Sequence, residues 1–334
     1  MRAGSRSRRR ALNLIAGAGG ALLVGSRPRP SLAQADGYPN RPVRLVVGYP
    51  PGGSGDFVSR VAADELSKHL GAQVLVENRP GAGSTIANEI VAKAAPDGYT
   101  VLNAGPHALT GSLYPRLPYD GDKDFIPVTT LAVAPMIILV NNDVPAKNLK
   151  ELIALAKSKP GVLNVASSGN GSTPHLAAAL FERVAGVKFT TVQFKGGAPA
   201  AASTIAGDTQ VMFSTPPTVM NFIKSGRLRP LAVTQPKPSP AIPGIPGSAD
   251  EGLPDYESTF SFALYLPTGT PAPIVDRLHA AAVKAMRGAG VTEKVASQGM
   301  DVFTDASPQA FADALKREAP ALRRLVKDSG AKLE

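Results

Sequence analysis

Short apolar runs of strand type alternate along this chain with stretches whose apolar residues recur at helical spacing, and glycine- or hydroxyl-rich turns separate them. Val43-Arg44-Leu45-Val46-Val47 predicts a strand, and Tyr49-Pro50-Pro51-Gly52-Gly53-Ser54-Gly55-Asp56 a turn into a helix. Phe57, Val58, Val61, Ala62 and Leu66 share one face of that helix, and Gly71 stands where a C-cap belongs. Asp56 or Ser54 is its expected cap, and its first amides stay free to donate to an anion. The theme recurs. A strand from Gln73 to Glu77 leads through Asn78-Arg79-Pro80-Gly81-Ala82-Gly83-Ser84-Thr85 into a helix with Ile86, Ile90, Val91 and Ala94 on its apolar face. Pro96-Asp97-Gly98 ends it, and a third strand, Tyr99 to Asn103, runs to a polar loop containing His107.

From Asp124 to Asn142 the β-type pattern is long enough to leave one domain and enter another. Asn148 opens a helix through Leu149, Leu152, Ile153 and Ala156. Strand Leu163-Asn164-Val165-Ala166 then meets Ser167-Ser168-Gly169-Asn170-Gly171-Ser172-Thr173-Pro174, with Thr173 as the expected N-cap and Pro174 as the first helical residue. A strand from Phe189 to Phe194 precedes Lys195-Gly196-Gly197-Ala198-Pro199 and a helix, and Gln210 to Phe213 precedes Ser214-Thr215-Pro216-Pro217 and another. Pro236 to Pro254 has no periodicity and predicts a surface loop. Phe260 to Leu266 predicts a strand crossing back to the first domain, before helices from Pro273 to Met286 and from Pro308 to Lys327.

Strands alternating with helices argue for an α/β protein whose sheets carry helices on both faces, with ligands at the carboxyl ends of the strands. Five turns fall there, near Gly53, Ser84, Ser168, Gly197 and Ser214: two in the first half and three in the second. If the halves are separate lobes, these turns can face each other across a cleft.

Composition narrows the function. A chain of 334 residues with 43% apolar and 19% charged residues suits two globular domains. The formal charge of +10 is concentrated at the start, where residues 1–35 hold seven arginines and no acid. The remainder has 29 basic against 26 acidic residues, so nucleic acid is not an expected partner. That start reads as an export signal: a basic segment, apolar Ala11 to Val24, and small residues at Ala33-Gln34-Ala35. Ser7-Arg8-Arg9-Arg10-Ala11-Leu12 resembles a twin-arginine motif, with Ala11 where that motif prefers phenylalanine; an ordinary secretion signal is the alternative. The absence of cysteine excludes disulfides, thiol catalysis and a lipid-anchoring cysteine, and four scattered histidines make no metal site.

No G-x-S-x-G, G-x-x-x-x-G-K-[ST] or H-E-x-x-H pattern is present. His69 and His279 fall inside amphipathic helices as surface residues. His107 and His175 flank hydroxyl-rich loops, where ligand contact and loop structure both stay open. The first strand, turn and helix, followed by a strand ending in Glu77, mimic a dinucleotide-binding unit, yet the turn lacks G-x-G-x-x-G and carries Pro50-Pro51 instead. Binding is the better reading. A micromolar complex needs about 8 kcal/mol, one helix N-terminus supplies about 0.3–1 kcal/mol, and a hydrogen bond to a charged group about 1.5–3 kcal/mol. Several turns acting together can hold a small carboxylate; one cannot.

Several ordered blocks carry a family resemblance: Tyr38-Pro39-Asn40-Arg41-Pro42-Val43-Arg44, Pro50-Pro51-Gly52-Gly53 with Asp56, and Glu77-Asn78-Arg79-Pro80-Gly81-Ala82-Gly83. Pro96-Asp97-Gly98-Tyr99-Thr100, Gly169-Asn170-Gly171-Ser172, Lys195-Gly196-Gly197-Ala198-Pro199-Ala200 and Ile223-Lys224-Ser225-Gly226-Arg227-Leu228 continue it. Across essentially the whole mature chain the sequence resembles the periplasmic solute receptors of tripartite tricarboxylate transporters, the Bug family. The resemblance implies a two-lobed, periplasmic-binding-protein-like Venus flytrap. Each lobe would be a mixed or parallel sheet flanked by helices, and two crossing strands would join the lobes. Residues 36–135 with 260–334 would form lobe 1, and 136–259 lobe 2. It also implies a soluble periplasmic monomer that is not an enzyme, has no cofactor or metal, binds a small organic mono- or dicarboxylate and passes it to membrane transporter subunits.

First-lobe contacts implied by the resemblance are Gly53, Ser54, Asp56, Ser84, Thr85 and His107. Second-lobe contacts are Ser168, Thr173, Gly197, Ala198, Ser214 and Thr215. Where the family commonly carries an aspartate after the strand ending in Phe213, this chain has Ser214. That departure removes a partner for a ligand ammonium and implies a plain carboxylate ligand over an amino acid. An exported cofactor-dependent oxidoreductase and a ligand sensor for a membrane signalling partner remain as alternatives.

Overall fold

The computed structural model describes residues 37–81, 84–105 and 117–328. The expected leader, His107 and the Ala82-Gly83 pair lie outside them. In chain order the strands are β1 (Val43–Val47), β2 (Val74–Asn78), β3 (Thr100–Ala104), β4 (Phe125–Pro135), β5 (Ile137–Val140), β6 (Asn164–Ser167), β7 (Thr190–Gln193), β8 (Val211–Ser214), β9 (Arg229–Val233), β10 (Thr259–Pro267) and β11 (Asp301–Val302). The helices are α1 (Ser54–Leu70), α2 (Thr85–Ala92), α3 (Leu149–Ser158), α4 (Thr173–Ala185), α5 (Gly197–Ala206), α6 (Pro216–Lys224), α7 (Ala272–Met286), α8 (Ala289–Ser297) and α9 (Pro308–Asp328).

Two sheets result, ordered β11-β4-β10-β3-β1-β2 and β7-β6-β8-β5-β9. Both are mixed. β1 lies parallel between β2 and β3, and β6 parallel between β7 and β8, so the glycine and hydroxyl turns leave the carboxyl ends of parallel strands. β10 and β5, with the short β11 at the edge of the first sheet, are the antiparallel members. Met136 alone separates β4 of the first sheet from β5 of the second. The chain returns from β9 to β10, which pairs with β4 from Thr259↔Pro135 to Pro267↔Phe125. Thr234 fastens these two crossings, because its hydroxyl accepts from the Met136 N–H at 2.8 Å and donates to the Ser258 carbonyl. This is the expected two-lobed α/β architecture.

The period of two along each strand divides the apolar residues between the two faces. Val43, Leu45 and Val47 join one core cluster while Val46 joins another with Ala87, Leu102 and Tyr265. In the second sheet Ile138 and Val140 face the large cluster, whereas Ile137 and Leu139 pack with Met212, Val219 and Ile242. Both faces are covered, which accounts for the continuous apolar runs that parallel sheets require.

Several local expectations change. Neither Ser54 nor Asp56 caps α1; Gly53 is the N-cap, with no side-chain cap bond, while Gly71 closes the helix as expected. α4 is capped one residue earlier than expected, by Ser172, whose hydroxyl accepts from the His175 N–H. Ile86 is exposed, because α2 turns Ala87, Asn88 and Val91 inward instead. The proline-rich segment after residue 236 is no plain surface loop: Ile242, Ile245 and Leu253 are buried from it. β9, α8 and β11 carry too little periodic pattern to stand out in the sequence. His279 is only half-exposed, its Nε2 lying 3.0 Å from the Asp305 carbonyl.

Candidate functional site

In the first lobe, the turn between β1 and α1 is braced by a carboxylate. Asp56, buried, accepts from the Gly52 N–H (2.9 Å), the Asn78 side-chain amide (2.9 Å) and the Arg60 Nε (3.0 Å), and pairs with a second Arg60 nitrogen at 2.9 Å. Burial alone would raise its pKa, but the bonds from Arg60, Gly52 and Asn78 outweigh that and hold it below the usual carboxylate range. Both oxygens are thus committed to the protein's own chain. Helix geometry leaves the Ser54, Gly55 and Asp56 amides ahead of the first intrahelical bond, from the Phe57 N–H to the Gly53 carbonyl. Ser59 and Asn103 support the start of α1 from below: Asn103 donates to the Ser59 hydroxyl (2.6 Å), which donates to the Gly55 carbonyl (2.6 Å).

The turn into α2 comes close to this one. Ser84, the N-cap of α2, is the only non-glycine residue with positive φ (75°) among the described residues, and it donates to the Gly48 carbonyl at 3.1 Å. A Cβ on Gly48 would stand 2.4 Å from the Ser84 Cβ, so position 48 has to be glycine for the two turns to touch. Thr85 is buried at the first turn of α2. Between the turns, the Tyr49 hydroxyl accepts from the Gly105 N–H at 3.1 Å, and its ring packs edge-on against Phe262. Burial pushes the Tyr49 pKa up, so the hydroxyl stays protonated.

The second lobe builds its side mainly from neutral groups, with Lys195 exposed in the turn into α5. Ser168 donates to the Ser172 hydroxyl (3.2 Å), and its carbonyl accepts from the Gly196 N–H (3.1 Å), joining the turns after β6 and β7. Thr173 and Ala198 lie within the first turns of α4 and α5, and Gly197 is the first residue of α5. A Cβ on Gly197 would sit 3.0 Å from the Thr218 Cγ2, so the starts of α5 and α6 are in contact. Thr215, the N-cap of α6, is hydrogen-bonded to the Thr218 hydroxyl at 3.0 Å, either oxygen serving as donor, and Ser214 is buried behind it. His175 is buried, and its Nδ1 accepts from the Gly171 N–H at 3.0 Å; burial lowers its pKa and keeps it neutral. That nitrogen therefore serves the loop.

The two sides meet. The Ser54 hydroxyl of the first lobe lies 3.1 Å from the Thr215 hydroxyl of the second. Two helix starts, from sheets that share no strand pairing, thus share one hydrogen bond, and a hydroxyl chain runs from Ser54 through Thr215 to Thr218. No group of three or more potential metal-ligating residues occurs among the described residues.

Residues 58–330 match the tripartite tricarboxylate transporter family receptor. The chain belongs to this family. BugT of Bordetella pertussis is 35% identical over 306 residues, covering 90% of this chain and 93% of BugT. Among solved structures, Rpa4515 of R. palustris with adipate superposes with a TM-score of 0.82 at 32% identity, covering 89% of this chain and all (100%) of that one. MatC of Rhodopseudomonas palustris with bound malate gives 0.78 at 31% identity, over 86% of this chain and 100% of MatC. The periplasmic binding protein BugD gives 0.80 at 32% identity, covering 89% and 100%. Members of the tricarboxylate receptor family are solute receptors, which disposes of the oxidoreductase alternative.

Within this receptor, the structural groups that the sequence did not single out are Asn78, Arg60, Tyr49, Ser172 and Thr218. Tyr49 and Asn78 stand in turns that the pattern identified, but their partners, Gly105 and Asp56, are 56 and 22 residues away. Arg60 four residues past Asp56, Ser172 three before His175 and Thr218 three past Thr215 are instead at local spacing.

Proposed function

We propose that this protein is an exported, periplasmic receptor that closes its lobes on a small organic carboxylate and presents it to a tripartite tricarboxylate-type membrane transporter. The observation that carries the reading is the bond between Ser54 and Thr215, which ties helix starts from opposite lobes. An acid seated beside that bond meets free amides at the start of α1 and the hydroxyls of Thr85, Thr173 and Thr215, while those of Ser84 and Ser168 turn to it from the Gly48 carbonyl and the Ser172 hydroxyl. The amides of Gly197 and Ala198 add backbone donors, whereas the Gly53 N–H already donates to the Pro50 carbonyl at 3.2 Å. These contacts come from both sides only when the cleft is shut, so the acid shifts the population toward the closed form. His107 belongs to the same proposed set.

The ligand class follows from charge. A ligand ammonium would need an acceptor with spare negative charge. Asp56 has none to give, and position 214 holds a buried neutral serine. A plain mono- or dicarboxylate is favoured over an amino acid, in keeping with the adipate and malate bound by the two R. palustris relatives. The test is a thermal-shift panel on purified monomeric protein containing adipate, malate, succinate, aspartate and glutamate. The plain diacids should raise the melting temperature most. A larger shift with aspartate or glutamate would refute the ligand class, and no shift with any acid would refute the receptor reading.

A further inference from the structure

The turn after α8 belongs to the first lobe, since it leads into β11 at the edge of the first sheet. It closes α8 in the usual left-handed way: the Gly299 N–H donates to the Ala296 carbonyl at 2.9 Å, the Met300 N–H to the Val295 carbonyl at 3.3 Å, and Gly299 has φ 73°. That geometry by itself accounts for a glycine. Gly71 does the same at the end of α1, with φ 75° and nothing within 4 Å of where a Cβ would lie. Gly299 differs in what lies against it. A Cβ there would be 2.6 Å from the Pro216 Cβ, 3.1 Å from the Ile242 Cγ1 and 3.4 Å from the Pro216 Cγ.

Both neighbours are second-lobe residues. Pro216 is the first residue of α6, directly after Thr215, and Ile242 packs with β5 and β8 residues in the second-lobe core. The start of α6 therefore touches the first lobe at two places, through Thr215 to Ser54 and through Pro216 to Gly299. We infer that Gly299 is a positioning residue for ligand capture: the side chain missing at 299 is the seat into which the start of α6 settles as the lobes close. Gly299 touches no proposed ligand contact and acts through Pro216. This rests on the proposed closure of the cleft round an acid.

The chain contains no cysteine, so Lys93→Cys with Lys224→Cys places a spin-label pair on exposed sites of the two lobes without background labelling. Inter-lobe distances by electron double resonance, with and without malate or adipate, are compared for the parent, Gly299→Ala and Gly71→Ala. The two alanine variants share the same backbone strain, so both should fold with similar melting temperatures. Only Gly299→Ala should lengthen the distances and weaken malate or adipate binding, by about tenfold through the lost closed fraction. Adding Pro216→Gly removes the nearest opposing atoms, leaving only the Ile242 Cγ1 at 3.1 Å, and should restore most of both. The proposal is overturned if the two variants give the same distances and affinities. It is overturned equally if Gly299→Ala fails to fold where Gly71→Ala folds, which would make the contact permanent packing. If no acid binds the parent, the receptor reading fails, while distances in the acid-free proteins still decide the role of position 299.

Discussion

The two lobes build their sides of the cleft with opposite electrostatics. In the first, the helix start is bolted down by an ionised carboxylate with four donors around it, from Gly52, Asn78 and Arg60. In the second, the turns into α4 and α6 hold hydroxyls, amides and a neutral imidazole, the turn into α5 carries the exposed Lys195, and within the Ser54–Thr215–Thr218 chain either atom of each pair can be the donor. A buried ion with its partners fixes geometry at the cost of adaptability, whereas hydroxyls turn their protons to suit whatever they meet. The first lobe's turn is thus the more firmly fixed, and the second lobe's hydroxyls are the freer to reorient.

The largest expected effect tests the rigid side. Asp56→Ala strands the Gly52 N–H, the Asn78 amide and Arg60, and should cost about 3 kcal/mol of stability. The exposed part of Arg60 is screened by solvent and keeps the loss from being larger. The pH dependence has a definite sign. Asp56 is depressed in the folded protein, so its contribution is complete above the unfolded value, about 3.9, and is lost as pH falls through the folded one. Denaturant melts of parent and variant should therefore converge below about pH 4. A constant gap down to acid would mean that packing, not ionisation, holds the turn.

Next comes the adaptable side. Thr215→Val removes the shared centre of the hydroxyl chain and should weaken malate or adipate binding about tenfold, with little change in melting temperature. Paired with Ser54→Ala in a double-mutant cycle, it should show a coupling of about 0.5–1.5 kcal/mol. Additive effects would mean that the two hydroxyls do not act together.

How far the contrast was legible in the sequence depends on its reach along the chain. The strand and helix pattern, the five turns and the crossing at residues 124–142 could be read because each is local: a period, a glycine, a cap. Ser54 and Thr215 could each be identified as lying at a helix start, but their bond joins residues 161 apart. The bracing of Asp56 was hidden for the same reason. A first-turn acid suggests a cap, and only the structure shows that it instead reaches back to Gly52 and across to Asn78 on β2. Sequence patterns name the positions; the chemistry between them is set by tertiary contacts.

A smaller effect is expected at His175, where the second lobe could acquire a charge. Burial lowers its pKa, so the unfolded chain takes up a proton before the folded one does. Stability is complete above the unfolded value, about 6.5, and declines as pH falls below it, by at most about 1.4 kcal/mol per pH unit. His175→Asn keeps an acceptor near the Gly171 N–H and should flatten that part of the stability curve. An unchanged slope in chemical denaturation between about pH 6.5 and 5 would place the titrating group elsewhere.

The smallest net effect belongs to Ser84, where the two turns of the first lobe touch. Its positive φ is costly for a residue with a Cβ, by about 1–3 kcal/mol, while its bond to the Gly48 carbonyl returns about 0.5–1.5 kcal/mol. Ser84→Gly removes both terms and should leave the melting temperature nearly unchanged, whereas Ser84→Ala keeps the strain, loses the bond and should be the less stable of the two. Affinity for malate or adipate separates the roles further. If the strained backbone alone aims the start of α2 at the cleft, the alanine variant binds as the parent does and the glycine variant binds more weakly. If the hydroxyl touches the acid, both lose affinity together. The first outcome would extend the rigid character of this lobe from its charged brace to its backbone, and the second would give the first lobe an adaptable hydroxyl of the kind that otherwise marks its partner.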